Sequence, residues 1–154
     1  MVSEENRPKG KFTEANWSEP EACGDDNYSR SKVLAEKAAW KFMEDLPADE
    51  KFELTTVLPA FVMGPPITPA SGTSVGFVQG ILSGGMAEIS SQHVPSCDVR
   101  EVAKAHVLAT KNKNAAGKRF MVVHEKTYNL QELAAILIAK YKPLGYPLTE
   151  QMEA

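Results

Sequence analysis

Apolar residues after position 27 fall at Leu34, Ala35, Ala38, Ala39, Phe42, Met43 and Leu46. The spacing is i, i+1, i+4, i+5, i+8, i+9 and i+12, which predicts one face of a helix from Tyr28 to Leu46. Asp25-Asp26-Asn27 supplies capping side chains, and Pro47 ends the helix. From Phe52 to Met63 the pattern becomes a nearly continuous apolar run, FELTTVLPAFVM. Such a run predicts a strand covered on both faces, as in a parallel sheet, with Pro59 near its C-terminal end. Helix, short connection and buried strand form half of a βαβ unit.

Before this unit, residues 1–26 show no period, and Phe12 and Trp17 stand as isolated anchors in a surface loop. After it, Gly64-Pro65-Pro66 and Pro69 predict a long loop, and residues 74–83 a short helix. Gly72, Gly76, Gly80 and Gly84 would form a stripe on that helix. Close approach of a ligand would use such a stripe, but tight packing is the plainer explanation. Asp98 to Lys111 is expected to be a helix capped by Asp98 with Glu101. Its apolar stripe is Val99, Val102, Ala103, His106 and Ala109, with His106 read as a hydrogen-bonded core histidine. Arg119 to Val123 reads as a short strand. Asn129 and Glu132 predict the cap of a last helix with Leu130, Leu133, Ala134, Leu137, Ile138 and Tyr141 inward, ended by Pro143 and Gly145.

Composition narrows the classes. The 154 residues suggest one domain, and 17 Lys+Arg against 20 Asp+Glu argue against a nucleic-acid binder or a polybasic membrane patch. No window reaches the roughly 18 apolar residues of a membrane span. The start is polar, without the pattern of a signal peptide. Two cysteines, Cys23 and Cys97, are too few for a disulfide framework, so a reduced, cytoplasmic setting is expected. His93, Cys97 and Asp98 lack a second Cys/His pair and are read as loop residues beside a helix cap, so no metal is expected.

Tyr28 and Lys32 are the leading candidates for chemistry. At i and i+4 they share a helix face. A free tyrosine titrates near 10, and a neighbouring ammonium favours the phenolate, which makes tyrosine a usable general acid or base. Alone, the spacing is common. It gains weight from the strand that follows, because ligands of open α/β sheets bind beyond the carboxyl ends of strands, here around Pro59 to Gly64.

These residues resemble a known family. Tyr28-Ser29-Arg30-Ser31-Lys32, then Pro59-Ala60-Phe61-Val62-Met63-Gly64-Pro65, then Asp98-Val99-Arg100-Glu101-Val102-Ala103-Lys104-Ala105-His106 follow the order of the extended short-chain dehydrogenases/reductases (the NAD-dependent epimerase/dehydratase superfamily). Trp17-Ser18 and Ala38-Ala39-Trp40 point to the dihydroflavonol reductase, cinnamoyl-CoA reductase and methylglyoxal reductase branch. The resemblance implies an α/β fold, the C-terminal part of a Rossmann-type doubly wound parallel sheet with a small mixed α/β substrate lobe. Residues 1–65 would belong to the dinucleotide-binding domain and 66–154 to the substrate lobe. It implies NADP-dependent reduction of a small-molecule ketone or aldehyde. Tyr28 would protonate the carbonyl oxygen, and Lys32 would support Tyr28 and bind the ribose. Pro59, Ala60, Phe61 and Val62 would line the nicotinamide, and Ser74 would lie near the cofactor phosphates.

No Gly-x-Gly-x-x-Gly or similar turn occurs to seat a pyrophosphate. The family's Gly-rich turn and carbonyl-binding Ser or Thr would precede Met1. The alternative expectation is therefore a truncated product or interaction fragment, inactive alone and self-associating through an open sheet edge. A remote alternative is a serine hydrolase built on Gly72-Thr73-Ser74-Val75-Gly76, with Asp98 and either His106 or His124.

Overall fold

The computed structural model describes residues 2–4, 6–69 and 72–153. A single turn, Glu21–Cys23, precedes α1 (Asn27–Asp45). Then follow β1 (Thr56–Pro59), β2 (Phe61–Met63) and α2 (Thr73–Leu82). After these come β3 (His93–Val94), β4 (Ser96–Asp98) and α3 (Val99–Lys111). The chain closes with β5 (Arg119–Val122), β6 (Tyr128–Asn129) and α4 (Leu130–Tyr141). Two structural units divide it, residues 1–58 with 107–121 and residues 59–106 with 122–154.

In the first unit, α1 starts where the Asp26 carboxylate accepts from the Ser29 amide, 2.9 Å away. None of its 19 residues is buried. Its less exposed stripe is Val33, Glu36, Ala39, Trp40, Met43 and Leu46. Leu34, Ala35, Ala38 and Phe42, expected on the inner face, are exposed, with Leu34 at 49% and Phe42 at 56%. The inward stripe is rotated because it carries the paired carboxylate of Glu36. β1 is hydrogen-bonded to β5, starting with Thr56 N–H to Lys118 C=O at 3.0 Å. The expected long strand is shorter, beginning at Thr56, and it is not covered on both faces: Thr56, Val57 and Leu58 are half-buried and Pro59 is exposed. Its only paired neighbour among the described residues is β5.

The second unit begins at Pro59. Ala60 bonds Val122 and Phe61 bonds Pro95, so the chain turns out of β1 and pairs again as β2. β2 runs parallel to β4, with Val62 opposite Cys97, and β3 pairs antiparallel with β6. Ile81, Ile89 and Ala134 form the core, under Phe77, Met86, Leu130, Leu137, Ile138, Leu148 and Met152. α4 presents the six residues its period predicts, behind a complete Asn129–Glu132 capping box. α3 differs from expectation. Asp98 caps it through the Arg100 amide at 2.8 Å instead of pairing with Glu101. Val99, Ala103 and His106 are exposed, and His106 is no core residue, its Nδ1 lying 2.8 Å from the Val102 carbonyl.

The glycine stripe of α2 splits in two. A Cβ on Gly80 would crowd Met86, and one on Gly84 would overlap Pro147, whereas Gly72 and Gly76 face open space. Packing accounts for the second pair alone.

Candidate functional site

The first turn of α1 carries Tyr28. The Ser29 hydroxyl and amide both donate to Asp26, holding that carboxyl below its usual range. The Ser31 hydroxyl donates to the Tyr28 carbonyl at 2.7 Å, and Arg30 reaches back to the Pro20 carbonyl at 3.2 Å. This region fixes where the helix begins. Tyr28 is 73% exposed, and Lys32 Nζ lies 5.3 Å from its ring centroid. The expected pair is formed, with both groups open to solvent at one end of a helix.

One turn beyond Lys32, Glu36 is the centre of a polar cluster. Arg119 binds it with two prongs, Nε to Oε1 and Nη2 to Oε2, each 2.9 Å long. Thr56 Oγ1 (2.8 Å) and Trp40 Nε1 (3.2 Å) donate to the same Oε1. Arg119 Nη1 donates to the carbonyls of Glu14 and Asn16, and its guanidinium stacks 3.7 Å from the Trp17 ring centroid. The two charged side chains are only 13% and 14% exposed. Burial, the largest influence, would raise the Glu36 carboxyl. The hydrogen bonds from Arg119, Thr56 and Trp40 outweigh it and leave the group below its usual range. A shallow depression of about 560 Å³ beside it is lined by Glu14, Trp17, Lys118 and Arg119, among others. Sequence reasoning missed Glu36 and Arg119. They stand 83 residues apart, and the one available signal was a carboxylate one turn past Lys32 on an otherwise apolar stripe.

The other candidates lie in the second unit. The amides of Ala60 and Phe61 are committed to Val122 and Pro95, and Pro59 has no N–H, so these three offer a ligand only carbonyls and side chains. Phe61 packs edge-on against Phe77, with ring centroids 6.2 Å apart. Val62 lies beside Cys97, whose thiol is pushed up mainly by burial. Gly64, at φ +134°, passes so close to Val99 and Asp98 that a Cβ would meet Val99 Cγ1 at 2.8 Å. Asp98 is held down to about 2, first by the Arg100 guanidinium hydrogen bonds and then by its amide. Ser74 sits on the first turn of α2, entered from loop residues and not from a strand, so the nucleophile elbow of a hydrolase is not formed. Ala70 and Ser71 lie outside the described residues.

Among the described residues no group of three His, Cys, Asp or Glu could hold a metal. Both cysteines are free. No described helix is long and apolar enough to cross a membrane. For a dinucleotide, the donor set fits one part only. A lysine ammonium beside a tyrosine ring suits ribose hydroxyls, while among the described residues no Gly-rich turn opens a helix to receive a pyrophosphate.

No family model matches the chain. Individual proteins do. The oxidoreductase YDR541C of Saccharomyces cerevisiae is 36% identical over 92% of this chain and 46% of its own length. The cinnamoyl-CoA reductase CAD2 of Medicago truncatula is 32% identical over 88% and 39%. The crystal structure of yeast methylglyoxal/isovaleraldehyde reductase Gre2, complexed with NADPH, superposes with a TM-score of 0.64 at 32% identity, over 80% of this chain and 41% of that one. The chain thus spans less than half the length of the relatives it matches. Fold, ordered motifs and relatives agree: the homologues that cover most of this chain are extended short-chain dehydrogenase/reductase-type reductases, and its structural neighbours share their fold.

Proposed function

We propose that the chain contributes the proton-donor side of an NADPH-dependent reductase of small-molecule ketones or aldehydes. What carries the reading is the Tyr28–Lys32 pair, stacked one helical turn apart on an exposed helix end. NADPH, when bound, supplies the hydride. Tyr28 Oη gives its proton to the carbonyl oxygen as that oxygen gains charge, so a C=O becomes CH–OH. Lys32 Nζ holds positive charge beside the phenol and donates to ribose hydroxyls. The carbonyls and side chains of Pro59, Ala60, Phe61 and Val62 would line the nicotinamide, and Ser74 would offer a hydroxyl to the phosphates. In this reading residues 1–65 serve the cofactor and 66–154 the substrate, in the cytoplasm.

A second reading has its own support. The relatives are more than twice as long as the matched segment, and α1 leaves Leu34 and Phe42 open. An inactive fragment that self-associates would show both features. Isothermal calorimetry with NADPH on this chain separates the two. Micromolar binding that weakens roughly tenfold in Lys32→Ala, one charge-assisted hydrogen bond's worth, supports the reductase. Absence of binding in the folded parent sinks the cofactor role of this chain alone.

A further inference from the structure

We propose that Arg119, through Glu36, is a positioning residue that sets where Tyr28 and Lys32 stand. The inference rests on the reading of that pair given above and concerns residues it does not include. Tyr28, Lys32, Glu36 and Trp40 follow one another at four-residue steps along α1. α1 buries none of its residues fully, and its apolar positions cover two adjoining flanks, so apolar packing alone does not choose its rotation. A two-pronged guanidinium–carboxylate bond does, because it constrains direction as well as distance. Its other ends are β1 through Thr56, β5 through Arg119, and the 14–17 segment through two carbonyls and the Trp17 ring. That segment leads into the start of α1, where Arg30 holds Pro20. The helix is therefore gripped in its middle and, by way of the loop, at the end that bears Tyr28.

The energetics favour this role over simple stabilisation. A buried ion pair is often no more stabilising than an apolar pair of similar volume, and its best-attested use is to specify register. Lysine at position 119 would keep the charge and lose the fork and the flat stacking surface.

The test uses the whole chain carrying a nitroxide on Asn114→Cys, with the buried Cys23 and Cys97 changed to alanine. Paramagnetic broadening of the amides at 28–36 is compared in the parent, Glu36→Gln and Arg119→Lys. If one variant fails to fold, the other carries the experiment. A helix displacement of 1–2 Å, of the usual size, changes the broadening roughly twofold. The expected result is a changed profile across 28–36 with α4 signals unmoved. NADPH affinity should also fall roughly tenfold in Arg119→Lys, and this effect should vanish in a Lys32→Ala background. A profile that superimposes on the parent's while the Trp17 and Trp40 indole signals shift overturns the proposal, as does full additivity with Lys32→Ala. If the parent binds no NADPH, the cofactor reading fails and the broadening profile alone decides this inference.

Discussion

Two glycines of the second unit share a backbone conformation and differ in surroundings. Gly84 has φ +67° and Gly145 has φ +82°. An added Cβ on Gly145 meets nothing within 4 Å, whereas on Gly84 it overlaps the Pro147 carbonyl oxygen. Alanine in this left-handed region costs about 1–2 kcal/mol at either site. At Gly84 the obstruction is backbone and must move by roughly an ångström, which adds about 1–3 kcal/mol of overpacking. The residues that follow Pro147 cannot yield freely. Thr149, 5% exposed, donates its amide to Ile81 and accepts from the Met86 amide at 3.2 Å. Leu148 and Met152 pack on the Ile81–Ile89–Ala134 core. Gly84→Ala should therefore cost about 2–5 kcal/mol against about 1–2 for Gly145→Ala. Urea unfolding followed by tyrosine near-ultraviolet dichroism reads this unit, which holds Tyr128, Tyr141 and Tyr146. A gap of about 2 kcal/mol at a slope near 2 kcal/mol/M separates the midpoints by about 1 M. Midpoints within roughly 0.2 M of each other would refute the reasoning, because overlap with Pro147 would then carry no cost.

Three further outcomes are expected. Gly76→Ala, in the interior of α2 with open space around it, should raise the melting temperature through about 0.5–1 kcal/mol of helix stabilisation, and a lower value would mean that the space is filled. Glu36 has a lowered pKa, so its ionised form favours the folded state. That contribution is complete above the ordinary value of 4.5 and is lost as pH falls through the lowered one, so tryptophan-monitored stability should drop on acidification below 4.5 in the parent and less steeply in Glu36→Gln. Light scattering coupled to gel filtration should show concentration-dependent self-association, reduced by Leu34→Gln with Phe42→Gln. A monomer unfolding in one cooperative transition would contradict this.

Much of the fold was legible from periodicity, and the failures share a cause. The cap and inward face of α4 were read correctly because both of its determinants, a local cap and a single apolar face, lie within residues 129–141. β3, β4 and β6 were not seen. At two or three residues each they are too short to show alternation, and they exist through pairing with distant segments. The run from 52 to 63 read as one strand because apolar character continues through it. The break comes at Ala60, where the backbone leaves one hydrogen-bonded partner for another, and composition carries no trace of that change. At the site, Tyr28 and Lys32 were legible for the same local reason as the α4 cap. Arg119 was not, since nothing near position 119 marks it as the partner of a carboxylate 83 residues earlier.

The face of α1 shows how the two kinds of information combine. Its apolar positions cover two adjoining flanks, one through Val33, Ala39, Met43 and Leu46 and the other through Leu34, Ala35, Ala38 and Phe42. A moment computed over such a helix points between them, so periodicity finds the helix without choosing its inner side. The choice is made by a polar group. Glu36 lies on the first flank, and a carboxylate can turn inward only if its hydrogen bonds are met, as Arg119, Thr56 and Trp40 meet them here. Satisfying that one charge turns the second flank outward and, with it, fixes which way Tyr28 and Lys32 project from the first turns. An apolar residue at 36 would remove the reason for this orientation while leaving the helix intact. The position of the catalytic candidates thus depends on a residue that the hydrophobic pattern alone would have treated as an exception.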